Sequence, residues 1–230
     1  MCKFVIFHKG DKNMKNNVNF QQKLDEKLLE IKNENYIPHL LLHVCCAPCS
    51  SYVLEYLAYY FKITVFFYNP NISPKEEFDK RAMELERFLK EFPTKYPVEL
   101  KIGEYCPDVL EQMAKGLEQE PEGGSRCYRC YEQRLRETAR ICKEEKYDYF
   151  TTTLSISPYK NAEWLNEIGQ RLAEEYELTY LVSDFKKRNG YRRSIELSRE
   201  YQLYRQDYCG CIFSKEARER QKQQIKTNEK

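Results

Sequence analysis

His43-Val44-Cys45-Cys46-Ala47-Pro48-Cys49-Ser50-Ser51 is the stretch from which the fold is read. It closes the apolar run 40–44, which is short and bounded and so predicts a buried strand, and Pro48 suits the first turn of a helix expected over 52–60. Three thiols therefore stand on a strand-to-helix turn. In a parallel α/β sheet such turns at the carboxyl ends of strands bind ligands, and helix N–H groups there favour anionic sulfur. Adjacent cysteines in an extended strand point to opposite faces, so Cys45 and Cys46 serve one centre only if the chain turns there.

Outward from this stretch, strand and helix patterns alternate. Residues 63–68 are β-branched and aromatic and predict a second strand, broken by Asn69-Pro70-Asn71. Ser73 with Glu76 forms a capping-box pattern for a helix from Pro74, whose buried face is Phe78, Ala82, Leu85, Leu89 and Phe92. Residues 98–102 predict a third strand, 107–116 a short helix, and 120–125, with Pro121, Gly123 and Gly124, a loop. Tyr131, Leu135, Ala139 and Cys142 share one helical face. A fourth strand is expected over 147–154, a helix through Trp164, Leu165, Ile168, Leu172 and Tyr176, a short last strand at 179–182 and a late helix at 192–204. The implied class is α/β: a mostly parallel sheet flanked by helices, Rossmann-like. Phe20, Leu24, Leu28 and Ile31 predict a peripheral helix ahead of it. The expected division is 1–36 as polar tail (1–17) and peripheral helix, 37–213 as the α/β domain, and 214–230 as a charged tail.

The chain has 230 residues with 41% apolar and 14% aromatic content, enough for a sizeable core. Its net charge of +2 makes no case for nucleic acid by itself. No signal peptide or membrane-spanning stretch is read, so a cytoplasmic location is expected, where the ten cysteines mean metal or redox chemistry more than a disulfide framework. No glycine-rich phosphate loop occurs, which weighs against an adenylating or sulfur-transfer enzyme.

Cys127-Tyr128-Arg129-Cys130 is a CxxC at a helix start; with Cys45, Cys46 and Cys49 it gives five thiols at the amino ends of two helices. Four thiols suit an iron–sulfur cluster or a structural zinc, and the spacing leaves both open. Cys209-Gly210-Cys211 is a pair whose disulfide would be strained and readily reduced, which suits an electron carrier; a metal pair or a plain turn are the alternatives. Cys106 and Cys142 are read as structural, and Cys2 is given no role. His43 is read as a hydrogen-bonded core histidine. Seven basic residues (Lys186, Lys187, Arg188, Arg192, Arg193, Arg199, Arg205) against Glu196 and Glu200, with Tyr191, Tyr201 and Tyr204 among them, lead toward the CxC pair and suggest a nucleic-acid substrate. Residues 151–153, Ser155, Ser157, Tyr159 and Lys160 follow the fourth strand, where they would contact sugar or phosphate, or simply form a capped turn.

Five blocks in order, LLLHVCCAPCSS (40–51), FYNPNI (67–72), CYRCYEQRL (127–135), FTTTLSISPYKN (150–161) and DFKKRNGYRRSIELSREYQLYRQDYCGC (184–211), resemble the cobalamin-independent epoxyqueuosine reductases of the QueH type. The resemblance implies a fold similar to the nucleotide α-hydrolase type, a [4Fe–4S] cluster held by Cys45, Cys46, Cys127 and Cys130, and a redox-active disulfide between Cys209 and Cys211. It also implies reduction of an epoxide to an alkene on tRNA, with electrons from an external donor. A further iron beside the cluster is expected at Cys49. Asp207, Tyr208 and Asp184 are the candidate proton donors, with Asp207 preferred; Lys160, Lys186, Lys187, Arg188, Tyr191, Arg192 and Arg193 are the candidate substrate contacts. A zinc module that binds RNA without catalysis is the remaining alternative.

Overall fold

Alternation along two neighbouring strands sets up the sheet. In the computed structural model, which describes residues 18–228, β1 (His39–His43) pairs in parallel with β2 (Lys62–Phe67), Leu40 opposite Ile63 and His43 opposite Phe66. Successive strand side chains point to opposite faces. Leu40, Leu42, Ile63, Val65 and Phe67 join one core, while Leu41 and Phe66 join a second. Both faces are thus buried, which is why the run reads as continuously apolar. β3 (Glu99–Ile102) lies outside β2, and β4 (Tyr149–Thr152) lies on the other side of β1, giving the all-parallel order β3-β2-β1-β4. The expected α/β class is borne out.

Crossover handedness distributes the helices. α2 (Ala47–Leu57) and α3 (Lys75–Glu91) step toward the β3 edge, whereas α5 (Ser125–Glu144) returns past two strands to β4. Right-handed crossovers in opposite directions occupy opposite faces. Val53, Leu54, Phe78 and Leu85 accordingly lie in the first core, and Tyr131, Leu135 and Ala139 lie in the second with Leu165 and Ile168 of α6 (Ala162–Tyr176). α1 (Phe20–Lys32) lays Leu24, Leu28 and Ile31 on the first core as its spacing predicts, and α7 (Gly190–Glu200) adds Leu197. α4 (Pro107–Ala114) precedes α5, and α8 (Ile212–Asn228) ends the described chain. Because the connections leave β1 in one direction and arrive at β4 on the other side, the switch point lies at the carboxyl ends of β1 and β4, where a ligand crevice is expected.

Several local expectations change. α2 starts at Ala47, so Cys49 belongs to its first turn. α3 starts one residue later than the capping box requires: Pro74 takes the cap position and Ser73 does not cap. The expected last strand shrinks to one bridge, Phe150 to Tyr180; the Thr151 hydroxyl donates to the Leu181 carbonyl at 2.7 Å, and just beyond, the Asn166 side chain takes both the N–H and the carbonyl of Ser183 at 2.9 Å. Cys2 and the polar tail 1–17 lie outside the described residues.

Candidate active site

β1 ends at His43, a core histidine as expected. Burial pushes its pKa down to about 3, and its ring nitrogens meet Thr152 Oγ1 at 2.8 Å and the Tyr68 carbonyl at 3.0 Å. The chain then bends at Cys45, and Cys46 is extended (φ −173°, ψ 161°) as the cap residue of α2. This is the turn that a shared centre needs. The Cys45 and Cys46 sulfurs are 3.8 Å apart, and Cys49 completes a group of three sulfurs within 4.8 Å of one another. Burial opposes ionisation of Cys46, but hydrogen bonds with Cys45 and Cys49 and the Arg81 guanidinium outweigh it and hold the thiol well below its usual range. Hydrogen bonding to Cys46 pushes Cys45 up to about 11, and Cys49 rises for the same kind of reason.

Cys127 stands in the first turn of α5 and Cys130 in the second, and the Gly123 N–H donates to the Cys127 sulfur at 3.2 Å. Burial raises Cys130 to about 12, and the anionic groups it feels are Cys209, Cys127 and Cys211. The structure therefore groups Cys49 with Cys45 and Cys46, and sets the CxxC beside the CxC.

The CxC turn is held by α3 and by the loop after β2. Cys209 and Cys211 are both free thiols. Gly210 between them has φ +126°, and an added Cβ would lie 3.0 Å from Ile72 and 3.1 Å from Arg81. The Ser73 N–H donates to the Gly210 carbonyl at 2.9 Å, Tyr208 Oη donates to the Ser73 carbonyl at 3.2 Å, and Arg81 Nη1 donates to the Cys209 carbonyl at 3.1 Å. Upstream, Glu84 accepts the Tyr204 N–H at 2.6 Å and Arg87 donates to the Tyr201 carbonyl at 3.0 Å. Lys160, four residues beyond the 3-10 turn Thr153–Ile156 that follows β4, is buried and donates to the Cys209 sulfur at 2.9 Å. Burial works against its charge, yet Cys209 and Tyr131 hold the ammonium well above lysine's ordinary value.

A cavity of about 620 Å³ opens over this convergence, lined by Cys45, Cys49, Cys209, Lys160, Arg134 and Asp207, with Tyr159, Tyr191 and Tyr208 also on its wall. Asp207 is bound to Lys222 at 2.6 Å and faces Arg218 at 3.5 Å, which keeps its carboxyl below the usual range. The basic stretch is less free than its linear count. Arg193 pairs with Glu55 at 2.6 Å, Arg192 with Glu196 at 3.2 Å, Lys186 with Asp184 at 2.5 Å, and Arg188 with Asp25. Folding brings up two of these acids, Glu55 and Asp25, from far along the chain. Among the described residues Lys187 and Arg199 make no ion pair, and from the stretch only Tyr191, Ser194 and Arg205 line the cavity.

Sequence reading missed Arg81, Arg134 and Asn69. Arg134 Nε donates to the Cys130 carbonyl at 3.2 Å and Nη1 to Asn69 Oδ1 at 3.4 Å, while Asn69 Nδ2 donates to the Val44 carbonyl at 2.8 Å. Asn69 thus ties the end of β1 to a buried cation. The available signal was spacing: Arg134 lies one helical turn after Cys130, and Arg81 lies beside Ala82 and four residues before Leu85 on the buried stripe. The donor set is soft sulfur, and Nη2 of both arginines is buried without a partner. Orphaned cationic donors beside thiols fit a metal–thiolate centre.

The family model described as epoxyqueuosine reductase QueH matches residues 40–217. A relative named epoxyqueuosine reductase QueH from Streptococcus pyogenes serotype M1 is 44% identical over 86% of this chain and 78% of its own. One from Staphylococcus epidermidis is 44% identical over 87% of each chain, and one from Thermotoga maritima 34% identical over 76% of this chain and 89% of its own. Among the described residues no helix is long and apolar enough to cross a membrane. The match spans β1, the three-thiol turn, the CxxC, Lys160 and the CxC, and the chain belongs to the epoxyqueuosine reductase QueH family.

Proposed function

We propose that this chain reduces epoxyqueuosine to queuosine at the wobble position of tRNA. The observation that carries the reading is that Cys45, Cys49, Cys209 and Lys160 line one cavity of about 620 Å³. That volume falls in the range of small-molecule sites, roughly 300–1,000 Å³, and suits one nucleoside turned out of its strand. Cys45, Cys46, Cys127 and Cys130 would hold a [4Fe–4S] cluster, with Cys49 offering a ligand to an additional iron. When bound, the cluster supplies electrons from an external donor one at a time.

Converting an epoxide to an alkene breaks two C–O bonds and consumes two electrons and two protons, releasing water. Oxidation of the Cys209 and Cys211 thiols to a disulfide releases the same two electrons and two protons. Gly210 gives this pair the backbone freedom to close. Lys160, on the Cys209 sulfur and on the cavity wall, carries protons between that sulfur and a bound oxygen. Asp207, held as a carboxylate by Lys222, has no proton to give, so Lys160 takes the donor role in its place. Tyr159, 78% exposed on the cavity wall, offers a stacking face for a base. Lys187, free of ion pairs, and Arg205 are better placed for phosphate than Arg188, Arg192 and Arg193, whose charges are partly spent on acids.

Substitution separates the two thiol sets. Cys45→Ala or Cys130→Ala removes the visible iron–sulfur absorption of anaerobically purified protein, whereas Cys209→Ser keeps it and loses turnover. Wild-type turnover in Cys209→Ser would refute the dithiol, and a colourless protein carrying one zinc would refute the cluster.

A further inference from the structure

Two arginines lie inside the protein beside the thiols, Arg81 1% and Arg134 2% exposed. A buried charge left unpaired costs several kcal/mol, so each must be balanced nearby. Arg81 has Glu77 at 2.7 Å. Arg134 has no carboxylate partner among the described residues: its bonded nitrogens meet the Cys130 carbonyl and the Asn69 side-chain oxygen. Each keeps a buried Nη2 with no partner at all. Besides Glu77, the anionic groups acting on Arg81 are the Cys46 and Cys45 sulfurs, and those acting most on Arg134 are Cys130, Cys209 and Cys45. Arg134 also shares the cavity wall with Cys45, Cys49 and Cys209.

We propose that Arg81 and Arg134 are the fixed counter-charges of the thiol-held metal centre and set its reduction potential, Arg134 being the cation common to the Cys45 and Cys130 sides. The inference rests on the reading that these thiols hold redox-active iron. Reduction adds negative charge to a centre that four thiolates already make anionic. A cation held at short range in a low-dielectric interior favours the reduced form, and guanidinium keeps its charge at every working pH. α3 and α5 carry the two groups on their buried faces, Arg81 tied to Glu77 and Arg134 to Asn69. Both are positioning residues that act through the centre and need not touch substrate.

The test is an anaerobic potentiometric titration, read by visible absorption and electron paramagnetic resonance, of wild type, Arg134→Gln, Arg134→Lys and the same two variants at Arg81. At the wild-type midpoint, loss of the charge in each Gln variant lowers the ratio of reduced to oxidised centre about tenfold, equivalent to about 59 mV for one electron. The Lys variants lose the guanidinium bonds but keep the charge, and stay near wild type. Unchanged potentials in the Gln variants, or equal shifts in Gln and Lys variants, overturn the proposal. Should a Gln variant fold without iron, the matching Lys variant decides: restored iron supports the counter-charge, and iron lost from both contradicts it. A wild-type protein without redox-active iron removes the underlying reading, and that result is distinct because it precedes any comparison of variants.

Discussion

Lys160 Nζ donates to the Cys209 sulfur at 2.9 Å, joining the segment after β4 to the CxC turn. The lysine is buried and the cysteine half-buried, so each partner depends on the other. Cys209→Ala removes the hydrogen-bonded partner of the ammonium and leaves it only the more distant Glu122 carboxylate at 3.8 Å, at an expected cost of about 1–3 kcal/mol. The double variant Lys160→Met/Cys209→Ala recovers at least about 1 kcal/mol of that loss, since neighbours in contact do not add. Urea unfolding of the four proteins measures the coupling, and strictly additive losses would contradict it.

Gly210→Ala tests the CxC turn without touching a thiol. The positive φ and the approach to Ile72 and Arg81 make alanine strained there, at a cost of about 1–3 kcal/mol. The urea midpoint falls accordingly. Closure of the Cys209/Cys211 disulfide under mild oxidant, followed by mass spectrometry of thiol-labelled peptides, slows relative to wild type.

Asn69→Ala removes the shared partner of the Val44 carbonyl and Arg134 Nη1. Unsatisfied buried groups cost about 1–3 kcal/mol each, so the expected loss exceeds that of an exposed Asn→Ala change such as Asn33→Ala. Thermal unfolding and iron content both report it.

What was legible in the sequence was what periodicity and spacing encode. The apolar runs around Leu40 and Val65 announce strands buried on both faces, and the three-thiol turn after β1 sits at the switch point that the topology requires. Long-range pairing was not legible. Asp25 and Glu55 take Arg188 and Arg193 out of the basic stretch, and Lys160 meets a sulfur that lies 49 residues away. Nor does local propensity show that the Asn166 side chain would take the backbone of Ser183, or that Arg81 and Arg134 would be buried, because arginine on a helix is ordinarily a surface residue.

Glu84 supplies a pH dependence. The Arg87 guanidinium, with help from the Tyr204 N–H, holds its carboxyl below the ordinary value of 4.5. A depressed carboxylate stabilises the fold fully above the unfolded value and loses that contribution as pH falls through the folded one. Wild type therefore loses thermal stability below about pH 4.5 more steeply than Glu84→Gln, which keeps an acceptor for Tyr204 but has no charge to lose. Parallel melting curves down the acid series would contradict the anchoring role of Glu84.

The most direct measurement of the central claim is mass spectrometry of nucleosides from epoxyqueuosine-bearing tRNA after incubation with anaerobically purified, reduced protein. The account predicts loss of one oxygen from the modified nucleoside, with conversion to queuosine. An unchanged nucleoside mass, with the iron centre present and reduced, would contradict it.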